Sequence, residues 1–439
     1  MHTAERRVVI TGIGLISPLG IGLEANWNAL ISAKSAVDRL SAFPVDGLAC
    51  TASGEVRNFD PKSHALPHHK KTLQKSLKYM ARDIQLAVAG AEIAIKHAGL
   101  ESGGVDPTRF GVDLGAGLIS SELDELTEAV ENSYVPGGDF DDSAFGAAAM
   151  KFIQPIWLLK YLPNMLACHI SILCDCQGPS NSITEAEAAS ILAIGEAFRI
   201  IARDQSDVMI TGGADSKIHP MSIVRLSMLE QLSCWNGSPA DACRPFDERR
   251  TGTVPGEGAG ILIIEEREHA KAREASVYGE LLGFGSGCDA YPGGGLDPEG
   301  RGAEIAIRAA IADAGLEPKE IGHLHAHGSG GVVMDLAEAR AITRVFGAYK
   351  VPVIALKGYH GNLASGCGAV ELIESLLAVK HGKLPRVLNC DDPDSAVELD
   401  LVIDGPRSLE NPVFLKLSVT RHGQAAALVV RGAREGESL

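Results

Sequence analysis

Patterns of buried strand and amphipathic helix alternate along most of this chain. Residues 8–12, V-V-I-T-G, read as a strand apolar on both faces, which leads into a loop G-I-G-L-I-S-P. Residues 87–98 repeat apolar positions at helical spacing and are stopped by Gly99, and F-G-V-D-L-G-A-G at 110–117 is the next strand. Residues 123–168 mix helix and loop, with a turn at L-P-N-M. Further buried strands follow at V-M-I-T-G-G-A from Val208 and at G-E-G-A-G-I-L-I-I-E-E from Gly256.

The series then repeats. Ile307, Ala310, Ile311 and Ala314 share one face of a helix over 304–314, and the stop Ala314-Gly315-Leu316 echoes Ala98-Gly99-Leu100. I-G-H-L-H-A-H-G stands where the first series has F-G-V-D-L-G-A-G, a helix follows Gly361, and strands close the series near Val413 and Ala427. The expectation is an α/β fold of two pseudo-repeated halves, 1–266 and 267–439, with the seam in the charged stretch 266–276.

One stretch, G-P-S-N-S-I-T-E-A-E-A-A-S-I-L-A-I-G at 178–195, predicts a sharp strand-to-helix turn. The helix is entered at Glu185 and continues to about Arg203. Such a turn sets one side chain at a pocket mouth beside free backbone N–H groups, as acyl-transfer enzymes present a nucleophile. The presented residue here is Glu187.

Composition changes little in this picture. The chain has 439 residues, long for one core, and its 49 glycines suit many tight strand-to-helix turns. A net charge of −16 argues against nucleic acid or an anionic membrane as partner. One basic island, His68, His69, Lys70, Lys71, Lys75 and Lys78, is a landing place for an acidic partner or an ordinary solvated face. Nine irregularly spaced cysteines do not form a disulfide framework, and Cys174-Asp175-Cys176 is too short for a zinc pair without a second. Cys174 and Cys176 are expected in the strand before the elbow. G-x-G-x-x-S after Val8–Gly12 is a weak match to a phosphate loop. Glycines and Pro18 break the apolar start, so a buried strand explains it better than a signal peptide; no stretch is long enough to span a bilayer, and the cytoplasm is the expected compartment.

R-R-V-V-I-T-G-I-G-L-I-S-P-L-G, L-P-N-M, H-I-S-I at 169–172, D-V-M-I-T-G-G-A, A-C-R-P-F-D, G-E-G-A-G-I-L-I-I-E-E, A-H-G-S at 326–329 and G-A-V-E at 368–371 together resemble the β-ketoacyl-acyl-carrier-protein synthases of the elongating type. The resemblance covers nearly the whole chain and implies a thiolase-like fold, two α/β halves in a five-layered αβαβα arrangement. It also implies a role in fatty-acid or polyketide assembly. No resident cofactor is implied, because phosphopantetheine arrives on the carrier protein.

Members of that family work with a Cys in T-A-C nine residues after G-P, a His opening H-G-T, a Lys opening K-S-x-x-G-H and the His that closes that motif. Nine residues after Gly178 stands Glu187, in E-A-E. His327 opens H-G-S-G-G and Lys357 opens K-G-Y-H-G-N, so Asn362 takes the second histidine's place; His360 is out of register. Asp335 and Glu338 match the acidic pair after H-G-T and are expected to hold Lys357 by ion pairing. The family's gating loop F-G-F-G-G-T-N becomes V-T-R-H-G-Q-A, with Arg421 at the gate and only Gly423 kept.

A carboxylate is a weak nucleophile toward a thioester and repels a malonyl carboxylate. The expectation is therefore a chain that does not condense. One reading is a chain-length-factor-like partner that dimerises with a Cys-containing ketosynthase and receives an acyl carrier protein on Lys70, Lys71, Lys75 and Lys78. Known members of that class commonly carry Gln at the elbow, from which Glu187 departs. A second is a malonyl-carrier-protein decarboxylase, or another acyl enzyme using Glu187 and His327 as acid and base. A third class is a metal site, since His323, His325 and His327 alternate along a strand with Glu187 near.

Overall fold

A computed structural model of the chain describes residues 6–100, 104–135, 137–229 and 231–437. Its framework in chain order is β1 (Val8–Ser17), α1 (Arg82–His97), β2 (Phe110–Ala116), α2 (Met165–Cys174), β3 (Ser180–Ile183), α3 (Ala189–Ala202), β4 (Val208–Ser216) and β5 (Glu257–Glu266). The second series is β6 (Gly279–Cys288), α4 (Arg301–Asp313), β7 (His323–His325), α5 (Val332–Phe346), β8 (Pro352–Ile354), α6 (Cys367–His381), β9 (Val413–Val419) and β10 (Gln424–Gly432).

The doubling seen in the letters is close in the pairing. In the first series β1 pairs antiparallel with β5 and β5 with β4, and β4, β2 and β3 run parallel. In the second, β6 pairs antiparallel with β10 and β10 with β9, and β9, β7 and β8 run parallel. The arrays join where Val8–Ile10 of β1 pairs antiparallel with Gly279–Leu281 of β6. Two-residue strands, Gly20–Ile21 and Asp400–Leu401, extend the sheet beside β1 and β8. The stretch expected as a seam holds the short helix Arg267–Ala272.

Three apolar clusters account for the five layers. One lies under α1 and α2 against the first array, and another under α4 and α5 against the second. The middle cluster is built on α3 and α6, whose Ile191, Ile194, Phe198, Val370, Ile373 and Leu377 meet residues from both arrays. Those two helices are buried nearly all round because sheet covers them on both sides. This is the thiolase-like αβαβα arrangement.

Three local expectations are corrected. The glycines after Val8–Gly12 form no phosphate loop: β1 continues to Ser17, bulged between Ile10 and Gly12. A methyl group on Gly12 would come 2.5 Å from the Ala94 carbonyl oxygen, and one on Gly14 would overlap the Gly90 carbonyl, so glycine there lets α1 lie close on the strand. Cys174 ends helix α2 rather than sitting in a strand, and Asp175 caps it in the left-handed conformation. The elbow helix opens as a 3-10 turn, Ala186–Ala188, and becomes α-helical at Ala189.

Candidate active site

The parallel β3 delivers the chain to Ala186, whose φ of 42° turns it sharply into α3 and leaves Glu187 in the first turn. Glu187 is 6% exposed and lines a cavity of about 450 Å³ with Leu118, Pro163, Leu226 and Leu229. A second lobe of about 210 Å³, bounded by Ser329, Gly331, Val333 and Met334, shares Glu187, Asn362 and Arg421 with the first. The two lobes thus meet at the residue that occupies the elbow.

Asn362 lies beside it. Its amide Nδ2 donates to Glu187 Oε1 at 3.2 Å, and its Oδ1 accepts from the Ala364 amide at 3.0 Å. The side chain expected to replace a catalytic histidine therefore spends one donor on Glu187 itself. Arg421 also reaches this waist, lining both lobes and donating to the Leu229 carbonyl at 3.1 Å. Gly423 lines neither lobe; with φ of 78° it turns the hairpin between β9 and β10, packed on Asp289.

His327 and Lys357 form a second, fully buried group that also lines neither lobe. The Lys357 ammonium donates to the His327 carbonyl at 2.6 Å and lies 3.2 Å from His327 Nδ1. With an ammonium on Nδ1, the ring carries its proton on Nε2, which has no partner among the described residues. Burial, then the Lys357 and Lys416 charges, holds the His327 imidazole well below the ordinary histidine range, so it is neutral.

The anchor of Lys357 is Glu371 at 2.5 Å, which corrects the expected pairing with Asp335 and Glu338. Glu338 instead accepts from the His327 and Gly328 amides, and Asp335 from Phe246, Gly330 and Ser329. Both acids shape the 327–331 loop and leave the lysine to Glu371. Burial pushes Glu338 up to about 7 despite those amide donors. Lys416, on β9, makes a second ion pair with Glu371 at 2.7 Å. Burial would lower Lys357 and raise Glu371, but their attraction reverses both shifts and keeps the pair charged.

A thiol was missed in the sequence. Cys367, the first residue of α6, sits behind Glu187 with Sγ 3.7 Å from the Glu187 carbonyl oxygen. It forms with His327 and Glu371 a group whose ligand atoms lie within 4.8 Å of one another. That group is no cation trap, because two buried lysines already neutralise Glu371. Nor does it present a nucleophile: Cys367 is 0% exposed, lines neither lobe, and is pushed up to about 12 by burial despite Lys357 nearby.

The histidine set expected for a metal does not assemble. β7 ends at His325 and Gly328 turns the chain with φ of 48°, so His327 leaves the strand. His323 stacks on Phe414, with ring centroids 5.1 Å apart, and His325 bonds Ser375 at 2.9 Å. His360 pairs with Glu374 at 3.3 Å, away from the lobes.

The basic island is partly confirmed as surface. Lys70, Lys71, Lys75 and Lys78 are exposed on and just after the helix Lys70–Ser76, which Leu73 anchors in the core. His69 is buried against Glu92 at 2.6 Å and does not belong to that face. Among the described residues no helix is long and apolar enough to cross a membrane.

Comparison with known proteins places these features. The model of the beta-ketoacyl synthase N-terminal domain matches residues 5–270, and that of the C-terminal domain residues 278–391. The 3-oxoacyl-[acyl-carrier-protein] synthase 2 of Coxiella burnetii is 33% identical over 97% of this chain and 98% of its own length. That of Staphylococcus aureus strain N315 is 33% identical with the same coverage. Among solved structures, a beta-ketoacyl synthase from Burkholderia phymatum superposes with a TM-score of 0.85 at 27% identity, covering 98% of this chain and 100% of its own. The ishigamide ketosynthase/chain length factor superposes at 0.82 with 28% identity and the same coverage. A type II polyketide ketosynthase solved with its acyl-carrier protein superposes at 0.84 with 26% identity, again covering 98% and 100%. The chain belongs to the β-ketoacyl synthase family of fatty-acid and polyketide synthesis.

Proposed function

We propose that this chain is a non-condensing, chain-length-factor-like subunit that pairs with a Cys-containing ketosynthase and helps to shape its acyl cavity. The observation that carries the reading is the carboxyl group of Glu187 at the waist between the two lobes, with the nearest thiol buried behind it. Condensation needs a thiolate that accepts the acyl group and donors that hold the oxyanion. Here the elbow offers no thiolate, and Asn362 spends one of its two amide N–H groups on Glu187. An intact cavity beside an inert elbow suits a subunit that measures a chain without reacting with it.

No resident cofactor is invoked; the phosphopantetheine arm belongs to a visiting acyl carrier protein. The structural neighbour solved with such a carrier supports that visitor. The exposed Lys70, Lys71, Lys75 and Lys78 offer the matching charge. Reversal of Lys70, Lys71 and Lys75 to Glu abolishes carrier-protein binding on this reading, and unchanged affinity at low salt rejects the docking face.

The direct test is incubation with malonyl-carrier protein, followed by mass spectrometry of the carrier. Malonyl stays intact if the chain is a partner subunit. Acetyl-carrier protein as product favours the decarboxylase reading, and ketoacyl product without a second synthase rejects both. Co-purification from the native host adds the positive arm: a second, Cys-containing synthase chain comes with this one.

A further inference from the structure

The larger lobe is lined mainly by apolar groups, Leu118, Pro163, Leu226 and Leu229 among them, as an alkyl chain requires. Yet charged groups also reach its wall: Lys217, Arg225 and Arg421 as cations, with Glu187 and Asp215. Lys217 is matched within the protein, since its ammonium lies 2.7 Å from Asp215 Oδ1. Asp215 has little capacity left, because its other oxygen accepts from the Ser365 amide at 3.2 Å. Asp83, behind Asp215, adds little negative charge: burial, then the Asp215 charge, pushes it up to about 8.

Arg225 is different. It is half-buried, and its hydrogen bond is a long one, 3.4 Å to the Ser120 hydroxyl. Among the described residues no carboxylate makes an ion pair with it, and Glu122 lies 3.8 Å from His219 instead. A guanidinium facing an apolar cavity gains most from a carboxylate, which can accept two of its N–H groups at once. An aliphatic tail would strip water from it and return nothing.

We infer that this cavity takes an acyl chain with a free carboxylate at its far end, read by Arg225. The inference rests on the reading above only in that acyl groups visit this cavity. It assigns a substrate class, acyl thioesters whose carboxylate is remote from the thioester, that neither Glu187 nor the malonyl group of the family's chemistry implies.

The test is isothermal titration of the full chain, without any synthase, against glutaryl-, adipyl-, hexanoyl- and 3-oxohexanoyl-pantetheine. At least one dicarboxylic probe binds about tenfold or more tighter than hexanoyl-pantetheine. Arg225→Met removes that preference by weakening the dicarboxylic probe, and Arg225→Lys keeps part of it. Equal or tighter binding of the hexanoyl probe, a preference that survives Arg225→Met, or no binding of either class overturns the inference. Tighter binding of the 3-oxo probe with the same sensitivity to Arg225→Met overturns the carboxylate assignment in favour of a neutral acceptor. None of these outcomes bears on whether the chain condenses, which is decided by the malonyl assay.

Discussion

Helices α3 and α6 begin alike. Each follows a one-turn 3-10 segment, Ala186–Ala188 and Ala364–Gly366, and each segment opens on an alanine with positive φ, 42° and 47°. The two starts touch: Ser190 Oγ accepts from the Ala369 amide at 3.1 Å, and a methyl group on Gly368 would come 2.6 Å from Ile191. At one elbow the second residue is an acid that faces the cavity; at the other, one residue past the turn, is a thiol with no exposure. The residue type needed for thioester chemistry is present, but at the elbow without access. Helix N-termini favour thiolates. Here burial overrides that preference and keeps Cys367 protonated. Access to the cavity, more than the presence of a sulfur near His327, separates a nucleophile from a core residue.

The comparison is broken most severely at the charges under the second elbow. Glu371 is one turn into α6 and is shared by Lys357 and Lys416, all three fully buried. Glu371→Gln leaves two buried ammonium groups without an anion. Urea denaturation should show a loss of about 3–5 kcal/mol or failure to fold. A loss below about 1 kcal/mol would mean that the lysines find other partners and that Glu371 is not their anchor.

Exchanging the side chain at the first elbow sharpens the same comparison through reactivity. In Glu187→Cys a thiol faces the cavity, whereas Cys367 stays behind it. Alkylation by iodoacetamide near pH 7.5, mapped by peptide mass spectrometry, should modify the new thiol at least about a hundredfold faster than Cys367. Exposed Cys234 and Cys288 report on reagent in both proteins. The variant should still yield no ketoacyl product, because Asn362 and the loop at Arg421 are unchanged. Product from this single exchange would show that the missing sulfur was the whole deficit.

Much of this was legible in the letters. Alternating strand and helix patterns and the Ala-Gly-Leu echo point to a doubled α/β fold, and the family's spacing after G-P puts Glu187 at the elbow. What periodicity could not show was contact across the middle layer. The family pattern sets Asp335 and Glu338 as partners of Lys357, but α6 brings Glu371 over the lysine, and the other two acids face loop amides. Cys367 gives no signal of its own, because a single cysteine in a small-residue run reads as packing. Lys416 is the usable signal in the letters: a lysine inside V-F-L-K-L-S-V, a strand buried almost throughout, demands a buried acid. The glycines of β1 read as a loop because sequence does not show that α1 presses against them.

The remaining expected effect is spread over about four pH units and concerns what supports the second elbow and not the first. Asp215 accepts from the Ser365 amide in the 3-10 turn before α6, and Asp83 stands behind it, accepting from the Ser216 amide at 3.0 Å. Asp83 is held near 8 when folded, against 3.8 for the ordinary side chain, so between those values the folded protein keeps a proton that the unfolded chain has released. Stability from this group is therefore full below about pH 4 and is lost as pH rises through 8, by at most about 1.4 kcal/mol per pH unit. Asp83→Asn mimics the protonated acid: its carbonyl can accept from Ser216 and its amide can donate to Asp215. The variant should match the parent at low pH and be less sensitive to rising pH between about 4 and 8. Denaturation midpoints measured across that range check it, and parallel profiles for the two proteins would show that Asp83 is ionised in the fold and that the second elbow rests on a different proton.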